Sequence, residues 1–253
     1  KEDAHVVLSV LGRIKRQRTL DDLEKVRLRE DDGLFTVLQG STLANAVFFT
    51  NFGSAYVLPI NDVPPTTGFG EPIQKFFSFK DGEKVISAFS LDERLYEPLK
   101  EPVLLVGVSS GSVVRVPLTP HLDVSTKSGR KFVRLGKGDV VVGAEIPTAA
   151  DKSVLMATSK GNVLRVRLKD VVAIAGVGKG KRGIKLAKGE KLAAISLLAK
   201  VDLDTTRGGV HRIQAKKLAL GEFGGEGIEI LTRFGFKGPH LLEPTLYELP
   251  ELE

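Results

Sequence analysis

The chain has 253 residues, 42% of them hydrophobic, with 37 Lys and Arg against 31 Asp and Glu and a net charge of +6. It contains no Cys, which excludes a disulfide framework, a Cys-bound metal and a Cys nucleophile. No apolar run is long enough to span a membrane, and Lys1-Glu2-Asp3-Ala4-His5 is too polar for a signal peptide, so a soluble, cytoplasmic protein with no membrane partner is expected.

Five units follow one another, each an apolar run, a Gly-centred turn and a second apolar run carrying a basic residue. The first, about residues 5–44, turns at Gly12 and again at Gly33, with a weak helical pattern over Leu20 to Arg29. The second, about 45–101, reads as the strand Ala46 to Thr50, a turn at Gly53, the strand Ala55 to Leu58, and a second turn at Asp81-Gly82-Glu83. The third, about 102–152, repeats this with Val103 to Val108, Gly111, Val113 to Val116 and Lys137-Gly138-Asp139. Its continuous run Val103 to Val106 predicts a strand covered on both faces. In the fourth, about 153–200, Thr158-Ser159-Lys160-Gly161-Asn162-Val163-Leu164-Arg165-Val166 precedes a second turn at Lys188-Gly189-Glu190; Ser196 to Lys200 is ambiguous. The fifth, about 201–247, carries Thr205-Thr206-Arg207-Gly208-Gly209-Val210-His211-Arg212-Ile213, which aligns on the fourth without gaps. The two turns lie 27 to 29 residues apart in units two to four, so the fifth should turn near residue 236, where Gly235 stands. The last six residues are acidic and are expected to be unstructured. A period of this size with short strands and Gly turns marks a propeller-like array of four-stranded blades. The chain begins at Lys1 and holds a single Met (Met156), so a piece of a longer protein is expected.

Charge is unevenly placed. Residues 1–100 hold 13 basic and 15 acidic residues, residues 107–217 hold 22 and 8, and residues 218–253 hold 2 and 7. A basic block of this kind is a footprint for a polyanion. The candidate contacts are Arg13, Lys15, Arg16 and Arg18 in the first unit, Arg115, Arg130, Lys131 and Arg134 in the third, Arg165, Arg167, Lys179, Lys181, Arg182 and Lys185 in the fourth, and Arg212 in the fifth. Long cationic side chains meet phosphates without reading bases. Phe48-Phe49 and Phe76-Phe77 lie in apolar runs and read as core, which argues against base stacking and for duplex DNA.

Catalytic signatures are missing. Gly176-Val177-Gly178-Lys179-Gly180 imitates a phosphate cradle, but no helix pattern follows and no Ser or Thr follows Lys181. His5, His121, His211 and His240 fall in different units without metal-ligand spacing, and Asp21-Asp22 and Asp31-Asp32 read as turn caps. No cofactor and no metal are expected, and this piece is read as non-catalytic.

The sequence resembles the C-terminal domain of the A subunit of bacterial type IIA topoisomerases, gyrase and topoisomerase IV. The resemblance rests on Gly12-Arg13-Ile14-Lys15-Arg16-Gln17, Phe48-Phe49-Thr50-Asn51-Phe52-Gly53-Ser54-Ala55-Tyr56, Ile60-Asn61-Asp62-Val63-Pro64 and Gly180-Lys181-Arg182-Gly183-Ile184-Lys185-Leu186, and spans nearly the whole chain. It implies an all-β fold, a β-pinwheel of five blades here, in which neighbouring blades exchange strands and a basic rim bends duplex DNA. It also implies two partners in the parent enzyme, the tyrosine-bearing cleavage domain of the A subunit, and the ATPase B subunit; Tyr56, Tyr96 and Tyr247 stand in no such cleavage context. The gyrase box Gln-Arg-Arg-Gly-Gly-Lys-Gly is missing from the first unit, whose two turns lie only 21 residues apart. A topoisomerase IV-like domain, assisting strand passage by an ATP-dependent parent enzyme, is therefore expected. A gyrase domain that wraps DNA for negative supercoiling and a propeller-type protein-interaction module remain the alternatives.

Overall fold

The computed structural model describes residues 1–95 and 100–251. Tyr96 lies outside the described residues. In the first unit the strands are β1 (Asp3–Ser9), β2 (Arg13–Gln17) and β3 (Leu34–Ser41). The second holds β4 (Asn45–Thr50), β5 (Ser54–Pro59), β6 (Glu71–Pro72) and β7 (Val85–Ser90); the third, β8 (Val103–Val108), β9 (Ser112–Pro117), β10 (Arg130–Lys131) and β11 (Val141–Glu145). The fourth holds β12 (Ser153–Thr158), β13 (Asn162–Arg167), β14 (Lys181–Arg182) and β15 (Leu192–Ser196); the fifth, β16 (Lys200–Thr205), β17 (Val210–Gln214), β18 (Ile228–Glu229) and β19 (Phe236–Pro239). Among the described residues, helix is confined to single 3-10 turns. One of these, Leu23–Lys25, is what becomes of the weak helical pattern, capped by Asp22 accepting from Glu24 N at 2.9 Å.

Each of the second to fifth units lends its short strand to the sheet before it. The sheets run β3-β1-β2-β6, β10-β5-β4-β7, β11-β8-β9-β14, β15-β12-β13-β18 and β17-β16-β19, all neighbours antiparallel. The fold is thus all-β, a five-bladed pinwheel linked by strand exchange, and its fifth sheet has three strands among the described residues. The first unit has only residues 18–33 between β2 and β3, and no strand to lend.

Burial explains the apolar runs. Leu104 and Val106 pack against Val47 and Phe49 of the second sheet, while Leu105 packs against Val154 and Met156 of the fourth. A blade strand buries both faces, so it cannot alternate with polar residues. Similar cores join the first sheet to the second and the fourth to the fifth. The outer face of the first sheet is covered instead by Leu20 and Val26, joined by Leu246 from the tail.

Glycine marks the turns as expected, with φ of +85°, +76°, +92°, +82° and +83° at Gly12, Gly53, Gly111, Gly161 and Gly208. The fifth unit's second turn departs from the expectation. Its left-handed residue is Arg233, and Gly235 serves another purpose, because a Cβ there would overlap the Ser159 carbonyl. The tail also departs from it. Tyr247 exchanges two hydrogen bonds with the Gln39 side chain, both 2.7 Å, and Arg94 donates to the Pro250 carbonyl at 2.6 Å. His240 N bonds Asp202 O at 2.9 Å, so the segment after β19 straps the fifth sheet to the first.

Candidate nucleic-acid interface

The lent strands are the outermost of each sheet, and they set the charge of the rim. At equivalent positions stand Glu71-Pro72, Arg130-Lys131, Lys181-Arg182 and Ile228-Glu229. The rim is therefore basic on the second and third sheets and carries Glu on the first and fourth. A backbone bond from Arg134 N to Gly178 O at 3.0 Å joins the loop after β10 to the loop before β14. This makes one continuous strip from Arg130 to Arg182. All six candidates on it, Arg130, Lys131, Arg134, Lys179, Lys181 and Arg182, are exposed. Arg130 rests on the Pro120, Asp123 and Val124 carbonyls and Lys131 on the Phe52 carbonyl, which fixes their stems. The other four make no side-chain hydrogen bond or ion pair among the described residues, so their donors face solvent. Under Arg130 lies His121, whose pKa is pushed down to about 4 by burial, with the guanidinium adding to the shift. It stays neutral there and adds no charge to the strip at neutral pH. Lys127, exposed and two residues before the Gly129 turn, belongs to the same strip and was not singled out in the sequence. Its place in the basic stretch 107–217 was the available signal.

The remaining candidates are otherwise engaged. Lys15 is buried; its Nζ donates to the Arg27 and Gly68 carbonyls at 2.8 and 2.7 Å, and burial, with Arg27 nearby, lowers its pKa. Buried and turned onto two carbonyls, it is not presented to a phosphate and leaves the candidate set. Arg16, Arg115 and Arg165 hold equivalent strand positions and clamp the next unit: Arg16 Nε to Val63 O at 3.1 Å, Arg115 Nε to Val171 O at 2.9 Å, Arg165 to Leu218 O at 3.0 Å. Arg13 likewise donates to Gly70 O at 2.6 Å. The basic residue that recurs in the repeat is thus a blade-to-blade tether. Arg18, Arg167, Lys185 and Arg212 are exposed but paired with Glu2, Asp170, Glu226 and Asp202. Glycine at 176–180 leads into β14 and no helix, so it is a strand-crossing loop.

Residues 44–92 and 152–199 match the family model described as DNA gyrase C-terminal domain, beta-propeller. These stretches are the second and fourth units, each a hairpin with its second turn and returning strand. The DNA gyrase A subunit of Escherichia coli K12 is 25% identical over 207 residues, covering 77% of this chain. Over these stretches the chain is similar to the C-terminal domain of DNA gyrase A subunits. The DNA gyrase A subunit of Rickettsia prowazekii is 26% identical over 174 residues, or 68% of this chain. The chain spans 23% and 19% of the length of these two relatives. Among solved structures, a C-terminal domain of DNA topoisomerase IV superposes with a TM-score of 0.80 at 18% identity, covering 96% of this chain and 78% of that one. The Escherichia coli ParC C-terminal domain gives 0.74 at 18% identity, covering 92% and 96%. These two likenesses speak for the pinwheel fold.

Proposed function

We propose that the domain, acting as one unit over residues 1–253, binds duplex DNA without regard to sequence and bends it over the rim of the second and third sheets. The observation that carries this is the continuous strip from Arg130 to Arg182, with four unpaired cations bounded by Glu71 and Glu229 on the neighbouring rims. Phosphates are attracted along the strip and repelled at both ends, so the path is a short arc. Residues 18–32 add no attraction, with four basic residues against six acidic ones. That supports a topoisomerase IV-like domain over a gyrase-like wrapper. The parent enzyme is then an ATP-dependent topoisomerase, in which the domain's partners are the tyrosine-bearing part of the A subunit, and the ATPase B subunit. There the arc would hold the DNA segment presented for strand passage. The domain itself breaks no bond.

Binding to a long duplex is measured across salt concentrations. Each phosphate contact contributes about 0.9 to the log–log slope. Replacing Arg134, Lys179, Lys181 and Arg182 together with Ala should lower the slope by about 3 to 4 and weaken all sequences alike. These side chains support no other part of the fold, so unchanged binding would remove the strip as the DNA site. Sealing a nicked circle on the domain should change linking number little; a large positive shift would favour the gyrase-like reading.

A further inference from the structure

The fifth sheet contains a complete acceptor for a lent strand, with no strand in it among the described residues. Four filled acceptors define its parts. First, the carbonyl of the hairpin glycine receives an N–H from the residue after the lent pair: Ile73 to Gly12 at 2.8 Å, Phe132 to Gly53 at 2.9 Å, Gly183 to Gly111 at 2.8 Å, and Ile230 to Gly161 at 2.9 Å. Second, the strand beginning after that glycine pairs with the lent residues through Ile14, Ala55, Val113 and Val163, all at most 1% exposed. Third, an Arg two positions beyond Ile14, Val113 and Val163 clamps a carbonyl of the incoming loop.

In the fifth sheet all three parts are present and turned on local substitutes. The Gly208 carbonyl takes the Thr205 hydroxyl at 2.5 Å, whereas the matching Thr158 hydroxyl goes to Glu190 at 2.6 Å. Val210, aligned with Val163, is 49% exposed. Arg212, aligned with Arg165, pairs with Asp202 at 2.7 Å in place of a loop carbonyl. An unpaired strand edge beside an exposed Val is a ready template for another strand.

We propose that this edge of β17 accepts an extended, acidic segment of a partner polypeptide, seated as β18 is seated on β13. The chemistry of the occupant follows from the lent segments and from the surroundings. Each lent pair is preceded by Gly (Gly70, Gly129, Gly180, Gly227) because the backbone there packs against the acceptor strand. An aliphatic residue buried against the next core follows within two or three positions, as Ile73, Val133 and Ile184 do. Exposed Arg207, Lys216 and Lys217 flank β17 and favour Glu or Asp in the occupant. A second copy of this chain has no such segment to give, because β6, β10, β14 and β18 are all seated on their own sheets.

The probe is a synthetic peptide with the sequence of Leu218 to Leu231, which carries Gly227-Ile228-Glu229-Ile230 and three Glu residues. It is titrated into the 253-residue chain while amide exchange and NMR shifts are followed. Saturable binding should slow exchange at Gly209 and Val210. Arg212→Ala should weaken it about tenfold, and methylating the peptide nitrogen at the Ile230 position should do the same, each removing one hydrogen bond. Thr205→Val, which frees the Gly208 carbonyl, should tighten it severalfold. No saturation at millimolar peptide, or changes confined to Asn162 and Val163 of β13, would overturn the proposal. So would self-association through β17, or equal protection of Gly209 and Val210 by duplex DNA.

Discussion

The fourth and fifth sheets begin from sequences that align without gaps over nine residues, and they end in different structures. In the fourth, Gly161, Val163 and Arg165 receive the strand and loop of the next unit. In the fifth, Gly208, Val210 and Arg212 receive none, and the same residue types are exposed or paired within their own hairpin. The motif therefore encodes half of an interface. Its glycine, aliphatic and arginine residues have their structural effect only when a following unit supplies the other half.

Matched substitutions in the two sheets sharpen this contrast. Gly161→Ala should destabilise most, since the residue is left-handed and a Cβ would overlap the Leu231 carbonyl; a loss above about 3 kcal/mol is expected. Gly208→Ala meets no atom and should cost only the left-handed strain, about 1–2 kcal/mol. Equal losses in urea denaturation would show that the seated strand adds nothing to the fourth sheet. Next in size, Arg165→Ala gives up charge-assisted bonds to Leu218 O and Ser153 Oγ and should cost about 2 kcal/mol. Arg212→Ala breaks one ion pair of an exposed guanidinium and should cost less than Arg165→Ala. If Arg212 proves as costly as Arg165, its exposed pair is holding the sheet together and the acceptor is not free.

A further effect concerns acid. Burial raises the Glu190 pKa, but bonds from Thr158, Asn162 and the Ala187 N–H outweigh it and leave the folded value below the ordinary 4.5. Its contribution is therefore full above pH 4.5 and is lost as pH falls through the lower folded value. Glu190→Gln should reduce stability by about 1 kcal/mol at pH 7, and the gap in Tm from the parent should narrow below pH 4.5. A gap that widens in acid would mean that Glu190 is not held as a carboxylate. In the fifth unit Thr205 turns to the Gly208 carbonyl and not to an acid, so that unit has no counterpart of this bond.

A good part of the fold was legible. The Gly turns and the apolar run Val103 to Val106 each express a local constraint: positive φ or two-sided burial. The lent strands were not legible from periodicity, because two residues carry no period; their exchange entered through the resemblance. The candidate site was half legible. Composition found the basic block and placed Arg130, Lys131, Arg134, Lys179, Lys181 and Arg182 in it, but it also gathered Arg16, Arg115 and Arg165, whose type is right and whose partners are carbonyls. Charge in a sequence has no direction, so a tether and a phosphate contact read alike.

By itself the sequence determined the number of units, their strand-and-turn character and the imbalance of charge, because each is a property of neighbouring residues or of their sum. Only the tertiary structure decided that Lys15 is buried beneath two carbonyls, that Gly178 meets Arg134 so the strip is continuous, and that Tyr247 straps the tail to Gln39. It also decided that one acceptor stands open. Those facts depend on which distant backbone groups meet, and a buried donor is satisfied by whatever carbonyl the fold brings to it.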